Sequence, residues 1–202
     1  QDVLFHDGTK LTADDVKFSL DRARNENSTN AQKSLFEDIK SVETIDATTV
    51  RVTLAVPNGS FITNMAWGDA VIVSEKSISK AETAPVGTGP FKFLKWVKGD
   101  RIELVKNNSY WGEEVLLDKA VFKFISDPTA AFAAMMAGDI DAFPVFPAPE
   151  NLSQFKLDPR FNVIVGSTEG ETILSTNNGR PPFDSVLMRK ALAHAINRQE
   201  LI

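Results

Sequence analysis

The spacing of apolar and polar positions changes several times along the chain, and each change predicts an element. Asp7-Gly8 is a turn pair. Thr12 stands three residues before Asp15 in a capping-box pattern. Val16, Leu20 and Ala23 follow at helical spacing, with Phe18 and Ser19 near that face. These signals predict a short strand at Val3-Leu4-Phe5, a helix over 13–24, and a polar loop, "NENSTNAQ". The period then falls to two. Val42 and Thr44 on one arm, and Val50, Val52 and Leu54 on the other, predict two strands turning at Asp46-Ala47-Thr48. Beyond Pro57-Asn58-Gly59 the pattern predicts a short helix, a loop at Trp67-Gly68-Asp69, and an apolar run to Val73.

The stretch "PVGTGPFKFLKWVKGDRIELVKNNSYWG", residues 85–112, poses a choice between a phosphate-cradling loop and a structural bend. A phosphate loop needs a helix directly after its glycines, so that backbone N–H groups meet the anion. Here Pro90 follows Gly89, "FKFLKWV" has strand composition, and no Gly-Lys-Ser/Thr ending is present. Gly87 and Gly89 are therefore expected to bend the backbone ahead of a hairpin turning at Lys98-Gly99-Asp100. Downstream, "KAVFKFI" predicts a strand. Asp127-Pro128 opens a helix through "TAAFAAMMA", and Gly138 stops it. "DIDAFPV", "FNVIVGS" and "ETILSTN" predict further strands, and "APENLSQFK" a short helix. Asp184 is expected to cap a last helix, "SVLMRKALAHAINRQEL", with Val186, Leu187, Ala191, Leu192, Ala195 and Ile196 as its apolar side. Helices and strands mix without strict alternation, which predicts an α/β or mixed α+β fold.

Composition narrows the chemistry. A net charge of −5 argues against a general nucleic-acid binder. No stretch approaches the ~20 apolar residues of a membrane helix. The absence of cysteine removes disulfides, thiolate catalysis and cysteine zinc sites together. His6 and His194 lie far apart, and neither has a second ligand at helical or strand spacing. Asp139 and Asp141 follow a helix stop and read as turn solvation rather than a metal pair. No metal site and no cofactor are expected. There is no G-x-S-x-G and no Ser, His, Asp set stands out. Two distant carboxylates of the glycosidase kind leave no signature. The chain opens in an apolar stretch and closes in a helical pattern, as a piece of a longer protein would.

Four segments carry a resemblance. They are "FHDGTKLTADDVKFSLDRAR", "PVGTGPFKFLKWVKGDRIELVKNNSYWG", "MMAGDIDAF" and "NNGRPPFDSVLMRKALAHAINRQEL". In order and approximate spacing they resemble the family 5 extracellular solute-binding proteins, the dipeptide, oligopeptide and nickel receptors of ABC importers. The resemblance spans nearly the whole chain. It implies an incomplete lobe of a periplasmic-binding-protein-like fold (type II, cluster C). Residues 1–84 resemble the peripheral subdomain of a first lobe, and 85–202 its ligand-facing core up to the hinge, with the second lobe absent. It implies a receptor rather than an enzyme. Its partners would be a peptide or similar small solute and a membrane permease, with no nucleic acid and no membrane insertion by this stretch. It implies a periplasmic location, or a lipid-anchored extracellular one in a Gram-positive source. A hydrolase, and a sensory or regulatory protein reusing such a module, are the alternative readings.

The resemblance also nominates residues. "GETILSTNN" resembles the family strand that runs along the ligand. Its alternation puts Glu171, Ile173 and Ser175 on one face. The resemblance favours Ile173 and Ser175 toward the ligand; the alternative is a strand face on a packed sheet. Trp67 and Asp69 sit on a loop resembling one that reaches the cleft. Trp67 is either a stacking surface or packed on its own subdomain. Asn30, with Thr29, is a similar candidate in the polar loop after the first helix, where the alternative is plain solvation. Phe146, followed by a proline, is either a cleft wall or core, whereas Phe143 is expected in the core.

Overall fold

A computed structural model describes residues 2–167, 170 and 173–197. By packing, the chain divides into two units, Gln1–Pro147 and Ala148–Ile202.

The first unit begins with a tight N-terminal turn. A single antiparallel bridge, Leu4 to Lys10, stands where a short strand is expected. Gly8 takes φ +85°, which a side chain would strain, and Phe5 is buried beneath the turn. Helix α1 covers Ala13–Arg24, the predicted span. The Asp15 carboxylate accepts from both the Thr12 N–H and the Thr12 hydroxyl, each at 2.9 Å, and this fixes the start. Leu20 and Ala23 lie on its inner face and pack with Phe36, Ile39 and Val42, the core of this region. Strands β1 (Ile39–Asp46) and β2 (Thr49–Leu54) form an antiparallel pair beneath α1. The Asp46 carboxylate accepts from Thr48 N–H and Oγ1 in the predicted turn. Buried Ser19 ties the next segment to the helix: its hydroxyl donates to Asp15 O at 2.7 Å and accepts from Val73 N–H at 2.9 Å. The apolar run to Val73 is thereby held as irregular chain. Helix α2, Phe61–Asn64, precedes the Trp67 loop.

Strands β3 (Phe91–Val97), β4 (Arg101–Lys106) and β5 (Lys119–Lys123) form an antiparallel sheet in the order β3-β4-β5. Trp96, Ile102 and Phe122 align across it. Gly99 takes φ +79° in the predicted turn. The two sheets thus fall on either side of residue 85. Helix α3, Pro128–Ala137, follows the expected signals: the Asp127 carboxylate accepts from Ala130 N–H at 2.7 Å, and Gly138 closes the helix at φ +78°. "DIDAFPV" is irregular rather than a strand. Pro144 has no N–H to donate, and no neighbouring strand pairs with it among the described residues.

The second unit is built differently. A 3₁₀ turn, Pro149–Asn151, leads into helix α4, Leu152–Leu157. Phe155 is buried and meets Phe161 edge to face at 4.9 Å. Residues 161–167 and 171–177 are expected as strands, and 171–172 lie outside the described residues. Among the described residues neither joins a sheet, and Ile164 and Ile173 are 85% and 73% exposed. Strand composition alone cannot supply ladder partners, so among the described residues the backbone runs on without joining a sheet. Helix α5 covers Val186–Ala195. Its N-cap is Ser185, whose hydroxyl accepts from Met188 N–H, and not Asp184 as the sequence suggests. Its apolar residues are nowhere fully buried.

Candidate functional site

The first unit carries a recess of about 760 Å³, open to solvent, with both polar and apolar side chains in its walls. Its walls come from the last turns of α1, the loop after it, and the loop at Gly68–Val71. Phe18 and Arg22, four residues apart on α1, and Asn25, the C-cap just beyond the helix, line it together. They meet Thr29, Asn30 and Asp69. The Asn30 amide donates to Asp69 O at 2.9 Å, and its own oxygen accepts from Gln32 N–H at 2.8 Å. Two sequence candidates separated by 39 residues are thereby brought together. Asp21 lies at the same rim. Burial would raise its pKa, but hydrogen bonds from Lys17 and Arg24 overcome this and hold it below the ordinary value.

Trp67 stands beside this loop and is 55% exposed, while its backbone N–H donates to Asn64 O. Phe146 is half-buried and meets Phe143 edge to face at 5.4 Å, and Phe143, expected in the core, is itself only half-buried. Ile173 and Ser175 are exposed on the extended segment of the second unit. Glu171 lies outside the described residues. Phe18, Arg22 and Asn25 were not nominated from the sequence. The spacing predicts Phe18 near the inner face of α1 with Val16, Leu20 and Ala23, whereas the structure places it in the recess lining with Arg22, four residues on.

The glycine bend is held by side chains from distant points. The His6 backbone N–H donates to Gly87 O at 2.8 Å, and Gly87 N–H donates to the His6 ring Nδ1 at 3.2 Å. His6 Nε2 lies 3.0 Å from Gly89 O, which also accepts from the Asn107 amide at 3.0 Å. The Trp111 indole N–H donates to Thr88 O. The carbonyls of 87–89 are thus taken up by protein donors, which fits the structural reading of the bend.

On the adjoining sheet, Glu103 is 8% exposed and accepts from Lys119 Nζ at 2.6 Å and Arg101 Nε at 2.7 Å. Lys119 and Arg101 lower its pKa from 4.5 to about 2. A carboxylate so tied is a strut between β4 and β5, not an acid poised to give up a proton. Asp139 closes α3, its N–H donating to Ala134 O, and its carbonyl accepts from Lys123 Nζ. Among the described residues no three His, Asp or Glu side chains are grouped as metal ligands. No described helix is long and apolar enough to cross a membrane.

Comparison with known proteins places these features in a family. A family model for bacterial extracellular solute-binding proteins, family 5, middle part, matches residues 1–202. A Brucella ovis protein provisionally named an ABC transporter peptide-binding protein is 33% identical over 98% of this chain and 39% of its own length. NikZ of Campylobacter jejuni, solved with Ni(L-His), superposes with TM-score 0.88 at 31% identity, covering 99% of this chain and 41% of NikZ. The periplasmic binding protein DppA of Helicobacter pylori, solved with the peptide STSA, gives TM-score 0.82 at 31% identity over 99% of this chain and 44% of DppA. The chain spans about two-fifths of the length of the curated relatives it matches. Matched along its whole length by that model, and sharing the mixed α/β backbone of these periplasmic binding proteins, the chain belongs to the family 5 bacterial extracellular solute-binding proteins.

Proposed function

We propose that the protein is the substrate-binding component of an ABC importer, which captures a peptide or similar small solute between two lobes and hands it to a membrane permease. The observation that carries this reading is the backbone agreement over 99% of the chain with NikZ, a protein solved holding Ni(L-His). Residues 1–84 are read as the peripheral subdomain of one lobe and 85–202 as its solute-facing core. The extended segment bearing Ile173 and Ser175 supports that assignment, because an extended backbone that joins no sheet among the described residues suits main-chain pairing with an extended ligand. Asn30, Asp69 and Trp67 are read as the peripheral contact, Phe146 as part of a wall, and Glu171 as a neighbour of Ile173 on the same run. The protein acts outside the cytoplasm, in the periplasm or on a lipid anchor. It binds rather than transforms its solute, and no observation favours the hydrolase or the regulatory reading.

Closure of two lobes makes affinity a property of both. Mass spectrometry of solute carried through purification of the full-length protein identifies the ligand, and calorimetry with that ligand measures its affinity. The 202-residue chain alone is expected to bind it weakly or not at all. Nanomolar binding by the chain alone defeats the two-lobe reading, and turnover of the ligand defeats the receptor reading.

A further inference from the structure

His6 joins the N-terminal turn to the glycine bend through both of its ring nitrogens. Gly87 N–H, which can only donate, faces Nδ1 at 3.2 Å. Gly89 O, which can only accept, faces Nε2 at 3.0 Å. Together they leave one arrangement: Nδ1 bare and the ring proton on Nε2. A second proton from solvent forms an Nδ1–H bond that points at the Gly87 N–H, turning an attraction into a clash of two donors.

We propose that His6 is a proton-operated latch between the N-terminal turn and the bend that leads into β3. Neutral, the ring ties the Gly87 N–H and Gly89 O to the turn; protonated, it releases the Gly87 N–H. Two charged groups face it. Lys92 on β3 donates from Nζ to His6 O at 3.3 Å. Asp7 is the next residue, and its Oδ1 is engaged by the Thr9 N–H and hydroxyl. Neither forms a hydrogen bond to the ring itself. Release is local. The His6 backbone N–H still donates to Gly87 O, Asn107 still holds Gly89 O, and Phe5 remains buried under the turn. What loosens is the tie between the chain entering α1 and the chain entering β3. A family described as extracellular meets ambient acidity directly, so this joint would respond to the surroundings.

Imidazole nitrogen NMR at about pH 7.5 should show a bare His6 Nδ1. Hydrogen exchange at the Gly87 amide, corrected for its intrinsic pH dependence, should lose about tenfold or more of its protection on going to about pH 5. His6→Gln, which holds no titrating proton, should lose that pH dependence, and His194→Gln should keep it. A protonated Nδ1 at pH 7.5 overturns the latch. So does equal Gly87 protection at both pH values in the parent protein, or loss of the pH response in His194→Gln. The spectra and exchange of the parent protein decide the matter even where His6→Gln fails to fold.

Discussion

The α1–β1–β2 region and the second unit make opposite use of similar residues. In the first, Leu20, Ala23, Phe36, Ile39 and Val42 close on one another, and the strands find each other two residues after the turn at Asp46. In the second, Ile164, Val165, Ile173 and Leu174 are equally apolar but exposed, on backbone that pairs with nothing among the described residues. The difference lies in sequence distance to a partner. A hairpin carries its partner with it, whereas an isolated extended run depends on chain elsewhere.

Mutations should separate the two regions by size of effect. Phe36→Ala removes the most buried large side chain of the core and should cost about 3–5 kcal/mol in urea unfolding. A loss under about 1 kcal/mol would mean that this core does not hold the region together. Ser19→Ala leaves the Val73 N–H without its side-chain acceptor and should cost about 1–3 kcal/mol. Proteolysis near Val73 should speed up with it. Glu103 sets a pH test. Its folded pKa lies below its unfolded value, so its contribution is complete above about 4.5 and is lost as pH falls toward about 2. Stability measured across that window should fall less steeply in Glu103→Gln than in the parent, and an identical slope would show that the strut to Lys119 and Arg101 is idle. Ile173→Ser should change stability by no more than about 0.5 kcal/mol, since the side chain is already 73% exposed. A large loss there would reveal packing at Ile173 and erase the contrast between the regions.

Legibility followed the same division. The bounds of α1, its Thr12–Asp15 start, the turn at Asp46 and the Asp127-to-Gly138 frame of α3 were readable because each signal acts within about four residues of its effect. Ser185 displaced Asp184 as the cap of α5 because neighbouring residues of similar capping strength differ only in where the first turn closes. The candidate site was legible in part. Asn30 and Asp69 could be named singly, but the hydrogen bond that joins them, and the Phe18, Arg22 and Asn25 wall beside them, required the loop at Gly68–Val71 to fold back on α1.

The sequence by itself determined the family, the helix and hairpin boundaries of the first unit, and the choice of a structural bend over a phosphate loop. These rest on local spacing and on segments whose order survives without coordinates. Only the tertiary structure decided that His6 meets Gly87 from 81 residues away, that Ser19 pins Val73, and that among the described residues the strand-like runs of the second unit join no sheet. The first two are hydrogen-bond assignments between distant donors and acceptors, and the third is the lack of a ladder partner among the described residues. Backbone groups must be satisfied somewhere, but a linear pattern does not say by whom.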